Sequence, residues 1–304
     1  MEVWFMKKIY LLLLASMTAI VLAACGGGGE EEQTEEAGNG EGGSELGQET
    51  IEIPYVEWDS EIASTHVIQK VLETEGYDVE ITPLDNAVMW QSVASGDTDA
   101  MVSAWVPLTH GDLYDEHESS LDDLGPNLEG AKIGLVVPED FPVDSIADLS
   151  DEAGQQVTGI EPGAGVVQAA EDAVETYDNL EGWEVQTSSS GAMATELGQA
   201  IDNGEEIIVT GWTPHWKFQT YDLKYLEDPE GVFGEAETIN TLAREGLEED
   251  APRAYEILDN FYWETGDMEE VMLEIEDGAD PSEAAQNWID ENQDTIDEWL
   301  QASE

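Results

Sequence analysis

Three tryptophans stand where chemistry is expected. Trp105 closes the stretch Ala100-Met101-Val102-Ser103-Ala104-Trp105-Val106-Pro107, and Trp212 closes Ile207-Ile208-Val209-Thr210-Gly211-Trp212-Thr213-Pro214. Both stretches run from an apolar strand through a hydroxyl residue and a small residue to Trp, one more residue, and Pro. The repeat reads as an echo of two similar half-units, each with a Trp at the carboxyl end of a strand, the end at which open α/β sheets bind ligands. Trp58 likewise follows the first predicted strand. Aromatic faces meeting across a cleft suit a cation that donates no hydrogen bond, and a quaternary ammonium is such a group. Cation–π attraction is worth about 0.5–1 kcal/mol per exposed ring and roughly 2 or more when desolvated. Core tryptophans would show the same pattern.

A second constellation supplies the opposite charge. Gly159-Ile160-Glu161-Pro162-Gly163-Ala164-Gly165-Val166 follows a predicted strand and opens a predicted helix. Free N–H groups at a helix start receive an anion, and glycine lets the backbone come close. A plain turn would look the same. The Lys-Ser/Thr of a Walker loop is missing. Paired with a tryptophan box, the loop would take the carboxylate of a zwitterion. Glu57 and Asp59 are placed to assist a cation, and His110 and His215 lie near the tryptophans. His215 reads most simply as a loop histidine and Ser188–Met193 as a helix cap. No nucleophile–base pair, metal-spaced histidine cluster or nucleotide fingerprint is present, so neither an enzyme, a metal site nor a cofactor is expected.

The elements that must position these groups follow in order. Strands are expected at 51–56, 77–83 and 99–105, with helices at 61–75 and 86–94 between them. A strand at 131–138 and a short connection at 141–149 lead into a second unit: strands 156–160, 183–186 and 206–212, helices 166–177 and 188–203. Two β-α-β-α-β units imply parallel sheets covered by helices. Residues 235–304 read as mostly helical, including 240–246, 251–261 and 281–300. Two α/β units suggest two lobes that close by a hinge over a ligand in the cleft. The expected division gives 50–139 and 225–304 to lobe 1, and 140–224 to lobe 2.

Composition sets the setting. The 304 residues carry 71 acidic and 8 basic side chains, a formal charge of −63. Ten Trp and nine Tyr argue against a disordered acidic chain. An acidic surface over a folded core self-repels in dilute solution and is tolerated where salt screens it. It argues against nucleic acid as a partner. The single cysteine, Cys25, permits no disulfide within the chain. It follows Lys7-Lys8, an apolar run and Leu22-Ala23-Ala24, which is the build of a secretory signal peptide over 1–24. The segment resembles a bacterial lipoprotein signal, which implies that Cys25 becomes the lipidated first residue. Residues 25–49 are rich in Gly and Glu and read as a flexible tether.

Taken together, Tyr55–Glu61, Ser103-Ala104-Trp105, Gly159–Gly165 and Thr210–Trp216 resemble the glycine betaine-binding lipoproteins of ABC transporters, over about residues 50–300. The resemblance implies a two-lobed, type II periplasmic-binding-protein fold with the ligand in the interlobe cleft. It further implies a prism of Trp58, Trp105 and Trp212 around the trimethylammonium group, with the backbone amides of Gly165 and Val166 on the carboxylate and His110 near some ligands. Glycine betaine or proline betaine would be the ligand, with choline, carnitine or another quaternary amine as the alternative. The partners would be an ABC permease and its separate ATPase subunit. The place would be the outer side of the cytoplasmic membrane, held by lipid on Cys25.

Overall fold

A computed structural model describes residues 47–301. The expected signal segment, Cys25 and nearly all of the expected tether lie outside these residues. The first unit runs β1 (Thr50–Tyr55), α1 (Asp59–Thr74), β2 (Asp78–Pro83), α2 (Asn86–Ser95), β3 (Ala100–Val106) and a short α3 (Gly111–His117). The long β4 (Leu121–Pro138) follows. The second unit runs β5 (Gln156–Thr158), α4 (Gly165–Thr176), β6 (Glu184–Gln186), α5 (Ser190–Asn203), β7 (Val209–Thr213), α6 (Lys217–Thr220) and β8 (Leu223–Tyr225). The chain ends in β9 (Glu237–Arg244) and five helices: α7 (Leu247–Asp250), α8 (Pro252–Asn260), α9 (Thr265–Glu276), α10 (Pro281–Glu291) and α11 (Gln293–Trp299).

Local chemistry accounts for the helix ends near the cleft. The Ser189 hydroxyl accepts from the Ala192 N–H and starts α5, as the serine run predicted. The Asp280 carboxylate accepts from the Ser282 N–H, and Pro281 takes the first turn of α10, where its missing N–H costs nothing. α4 begins differently. Its N-cap is Ala164, which has no side-chain oxygen to offer, so the first amides of the helix stay free.

The elements of both β-α-β-α-β units form, with parallel pairing of β1 to β2, of β5 to β6 and of β5 to β7. β1 and β2 form a two-stranded sheet of their own, and β3, expected to extend it, pairs antiparallel with β9 instead, in a seven-stranded sheet ordered β3-β9-β4-β7-β5-β6 with β8 beside β4. β4 changes partner along its length. Residues up to Ala131 pair with β9, and Lys132 onward pairs with β7. The chain therefore leaves the first half of the molecule at Ala131–Lys132. It returns in the segment between β8 and β9.

Two further expectations are corrected. Residues 240–246, read as helical, fall mostly in β9. Ile239, Leu242 and Ala243 suit either period, but β3 and β4 flank this segment on both edges and claim its backbone hydrogen bonds. β4 begins ten residues before the expected strand. Its early part, Leu121–Gly130, carries Gly125, Pro126 and Gly130, and it stays paired to β9 only through three register shifts.

Among the described acidic residues, only Glu61, Asp99 and Glu237 are buried. Each has partners: Glu61 accepts from the Val56 N–H, Asp99 pairs with Arg244, and Glu237 holds the backbone of Leu108 and Thr109. The other described acidic residues are partly or fully exposed. No described helix is long and apolar enough to cross a membrane.

Candidate functional site

The six residues singled out from the sequence meet around one cavity. Trp58, Trp105, His110, Gly165, Val166 and Trp212 line a space of about 320 Å³, together with Ser60, Thr109, Ile133, Ile160 and Ala164. Trp58 stands just ahead of α1, Trp105 at the end of β3 and Trp212 near the end of β7. All three are buried. The Val106–Pro107 and Thr213–Pro214 peptide bonds that follow the last two are both cis, so the sequence echo is also an echo of backbone shape. Two of them are backed by histidines. Trp58 stacks on His110 at 6.1 Å, and Trp212 meets the edge of His215 at 4.7 Å.

The opposite wall is the start of α4. Among the described residues the N–H groups of Gly165 and Val166 donate to no protein acceptor. They sit at the positive end of a twelve-residue helix. The cavity therefore offers π faces to a cation and oriented amides to an anion. Gly165 is required by proximity. A Cβ there would overlap the Thr109 carbonyl oxygen and come within 2.7 Å of Thr109 Cγ2. The loop after β3 thus presses directly on the first turn of α4.

His110 is fixed in one form. The Trp105 N–H donates to its Nδ1 at 3.2 Å, so the ring proton is on Nε2. Burial lowers its pKa to about 4, so the imidazole is neutral at physiological pH and adds no positive charge beside the tryptophans. Trp90 of α2 packs edge-on against it at 5.8 Å. The loop carrying His110 is held from below by Glu237. That carboxylate accepts from the N–H groups of Leu108 and Thr109, both at 2.9 Å, and from the Thr109 hydroxyl.

A set of polar bridges joins the two halves around the cavity. Trp58 Nε1 donates to Glu161 Oε2 at 3.1 Å, and the Ser190 N–H donates to Glu161 Oε1 at 3.2 Å. Asp59 accepts from Trp216 Nε1 and from Ser190 Oγ, each at 2.8 Å. Asp59 is thus a clasp between halves rather than a cation contact, and neither it nor Glu57 lines the cavity. His215 is fully buried behind Trp212, and its Nδ1 accepts from the Lys217 N–H. It backs the cage instead of lining it. The bridging roles of Asp59, Glu161, Ser190 and Trp216 were missed in the sequence. Acidic residues are too common here for two of them to stand out. Among the described residues no His/Cys/Asp/Glu group is arranged to hold a metal.

This geometry can be set beside known proteins. The sequence model of the family described as the substrate-binding domain of the ABC-type glycine betaine transport system matches residues 49–291. The chain belongs to this family. It is 47% identical over 164 residues to the glycine betaine/carnitine transport binding protein GbuC of Listeria monocytogenes, a match covering 54% of this chain and 55% of that protein. The chain thus spans about half the length of that curated relative. Among solved structures, the closed, liganded lactococcal OpuAC with glycine betaine is 50% identical, with a TM-score of 0.82, covering 84% of this chain and all of that one. A choline-binding protein of an ABC transporter, in complex with choline, is 28% identical with a TM-score of 0.77, covering 83% and 91%. The two-lobed α/β fold expected from the sequence is the fold of these relatives.

Proposed function

We propose that this chain is the extracytoplasmic receptor of an ABC importer and that it captures glycine betaine, or the related proline betaine, for osmoprotection. One observation carries the reading. A single cavity places Trp58, Trp105 and Trp212, drawn from both halves, with the free amides of Gly165 and Val166. A trimethylammonium group has no N–H, so π faces serve it as well as any carboxylate, and a carboxylate at the far end satisfies amides that otherwise go unpaired in a buried place.

Lobe 1 then comprises the first unit and the C-terminal helices, and lobe 2 the second unit. The crossings within β4 and between β8 and β9 act as the hinge. Ligand bridging both lobes favours the closed form, in which the Asp59 and Glu161 bridges also form. The loaded receptor delivers its cargo to a permease driven by a separate ATPase subunit. Lipid on Cys25 anchors it to the outer side of the cytoplasmic membrane, with residues 25–49 as the tether. The acidic surface suits a salt-rich medium, in which a compatible solute is worth importing.

The test is calorimetry of the mature protein, unfolded and refolded to remove carried ligand, with glycine betaine in high salt. Saturable one-to-one binding is expected. Absence of heat from demonstrably folded protein would overturn the reading. Choline is the informative second ligand, because a solved relative is complexed with it. It lacks a carboxylate and leaves the α4 amides unmet, so it should bind this chain more weakly than glycine betaine. Equal or tighter choline binding would favour a choline or carnitine receptor instead.

The bridges give a separate prediction. Asp59→Ala removes the acceptor for both Trp216 and Ser190 without touching the cavity wall. Glycine betaine should dissociate about tenfold faster, with little change in association rate, measured by stopped-flow tryptophan fluorescence. An unchanged dissociation rate would show that the bridges follow closure without supporting it.

A further inference from the structure

Lys217 is buried, basic and unused by the site as described so far. It opens α6, has no exposed surface, and its Nζ has no hydrogen-bond partner. What the amine does have is an aromatic wall. Nζ lies 4.3 Å from the centroid of the Trp212 ring and 5.9 Å from that of Phe218. Its stem reaches this place under Gly211, where a Cβ would overlap Val136 Cγ2 and come within 3.4 Å of Lys217 Cε. Trp212 lines the cavity and Lys217 does not. The amine and a ligand cation in the cavity would therefore share one indole as a neighbour. A single ring has one quadrupole to share, and two like charges beside it repel in a low-dielectric interior.

Resting on the quaternary-ammonium reading above, we propose that Lys217 sets the affinity of the cage through Trp212: a proton on its amine opposes the ligand cation, and filling the cage expels that proton. The surroundings favour easy loss of it. Burial brings the Lys217 amine down to about 7, against the pull of the Asp59 carboxylate. The other ionisable groups nearby are few. His215, beside Trp212, is kept neutral by burial and by Lys217, with its Nε2 3.6 Å from Asp59 Oδ2. Glu276, at the end of α9, borders the same surface recess as Asp59, and burial raises its pKa, with Asp59 adding to the rise. Lys132 of β4 is engaged over Tyr225, and Glu269 of α9 with Gln219. Lys217 is thus a positioning residue with a charge that can be switched off.

The experiment is calorimetry with glycine betaine at pH 5.5, 7 and 8, each in two buffers of contrasting ionisation heat. Binding is expected to tighten about tenfold from pH 5.5 to pH 8, with release of a fraction of a proton at pH 7. Lys217→Met should abolish the release and bind at pH 5.5 as tightly as the natural protein does at pH 8. Glu61 of lobe 1, whose carboxyl burial raises to about 8, titrates in both proteins, so the difference between them isolates Lys217. A residue that merely fills space would instead leave the natural protein and Lys217→Met with the same pH profile and the same proton release, and that result overturns the proposal while leaving the receptor reading intact. No binding at any pH would overturn both. Should the variant not fold, the natural protein labelled with 13Cε-lysine answers the same question, since residues 47–301 hold only Lys70, Lys132, Lys217 and Lys224. The Lys217 resonance should titrate near neutrality and move to lower pH when glycine betaine is added. A midpoint that glycine betaine does not move overturns the proposal.

Discussion

Trp212→Ala is expected to weaken glycine betaine binding at least ~30-fold while leaving a folded protein. A desolvated cation–π contact is worth about 2 kcal/mol or more, and 1.4 kcal/mol is tenfold in affinity. The loss should appear in calorimetry as a raised Kd at unchanged stoichiometry. The alternative, that Trp212 is a core residue without a ligand, predicts a different signature. Truncating a core Trp costs about 3–5 kcal/mol of stability. The molecule contains such a residue for comparison. Trp263 is fully buried, meets Phe261 at 5.6 Å and lies edge-on to Trp288 at 5.6 Å, far along the chain from the cavity residues. Trp263→Ala should lower the melting temperature by ~10 °C and leave the Kd unchanged. Trp212→Ala should do the reverse, and equal stability losses with equal affinities would remove the cage.

The contrast between these two tryptophans shows what the sequence made legible. Trp105 and Trp212 were readable because each sits at the same offset from a strand and a proline, and the two strands occupy equivalent places in two similar units. The Gly159–Val166 loop was readable because a strand precedes it and a helix follows. Both signals are local. What stayed hidden depends on the other half of the molecule. Residues 121–130 form a strand only because β9 supplies the partner, and their Gly, Pro and Asp content argues for a loop. The segment 240–246 had helical spacing, and its place between β3 and β4 decided otherwise. Asp59 and Glu161 gained their roles from Ser190, Trp216 and Trp58, residues distant in sequence that the fold brings to them.

Lys217 lies between these cases. Its location against Trp212 was not readable, but its rarity was. In a chain with 71 acidic and 8 basic residues, a lysine five positions past a candidate ligand tryptophan is an unusual event. A basic residue within so acidic a sequence is a better lead than any one of the acids, because it is the rarer event.

Gly165→Ala is expected to cost more affinity than any single cage residue, although it adds only one methyl group. The new Cβ would overlap the Thr109 carbonyl oxygen, and that carbonyl cannot yield freely. Its own residue is tied down by the Glu237 carboxylate through N–H and hydroxyl, and the next residue, His110, is locked by the Trp105 N–H. With Gly165 and Thr109 on different lobes, as proposed, opening would relieve the overlap, so the open protein should fold normally, with a melting temperature without ligand within a few degrees of the natural one. Closure should fail or stop short, leaving a ligand that touches one half at a time. Since each half supplies only part of the cage, the Kd should rise ~100-fold or more, at the scale of losing one end of a two-ended contact. Small-angle scattering separates this from simple loss of the amide contact. The natural protein should contract on adding glycine betaine, and the Gly165→Ala variant should not, even at ligand concentrations that saturate it. Contraction with normal affinity would show that the loop after β3 gives way, and that Gly165 is not what limits closure.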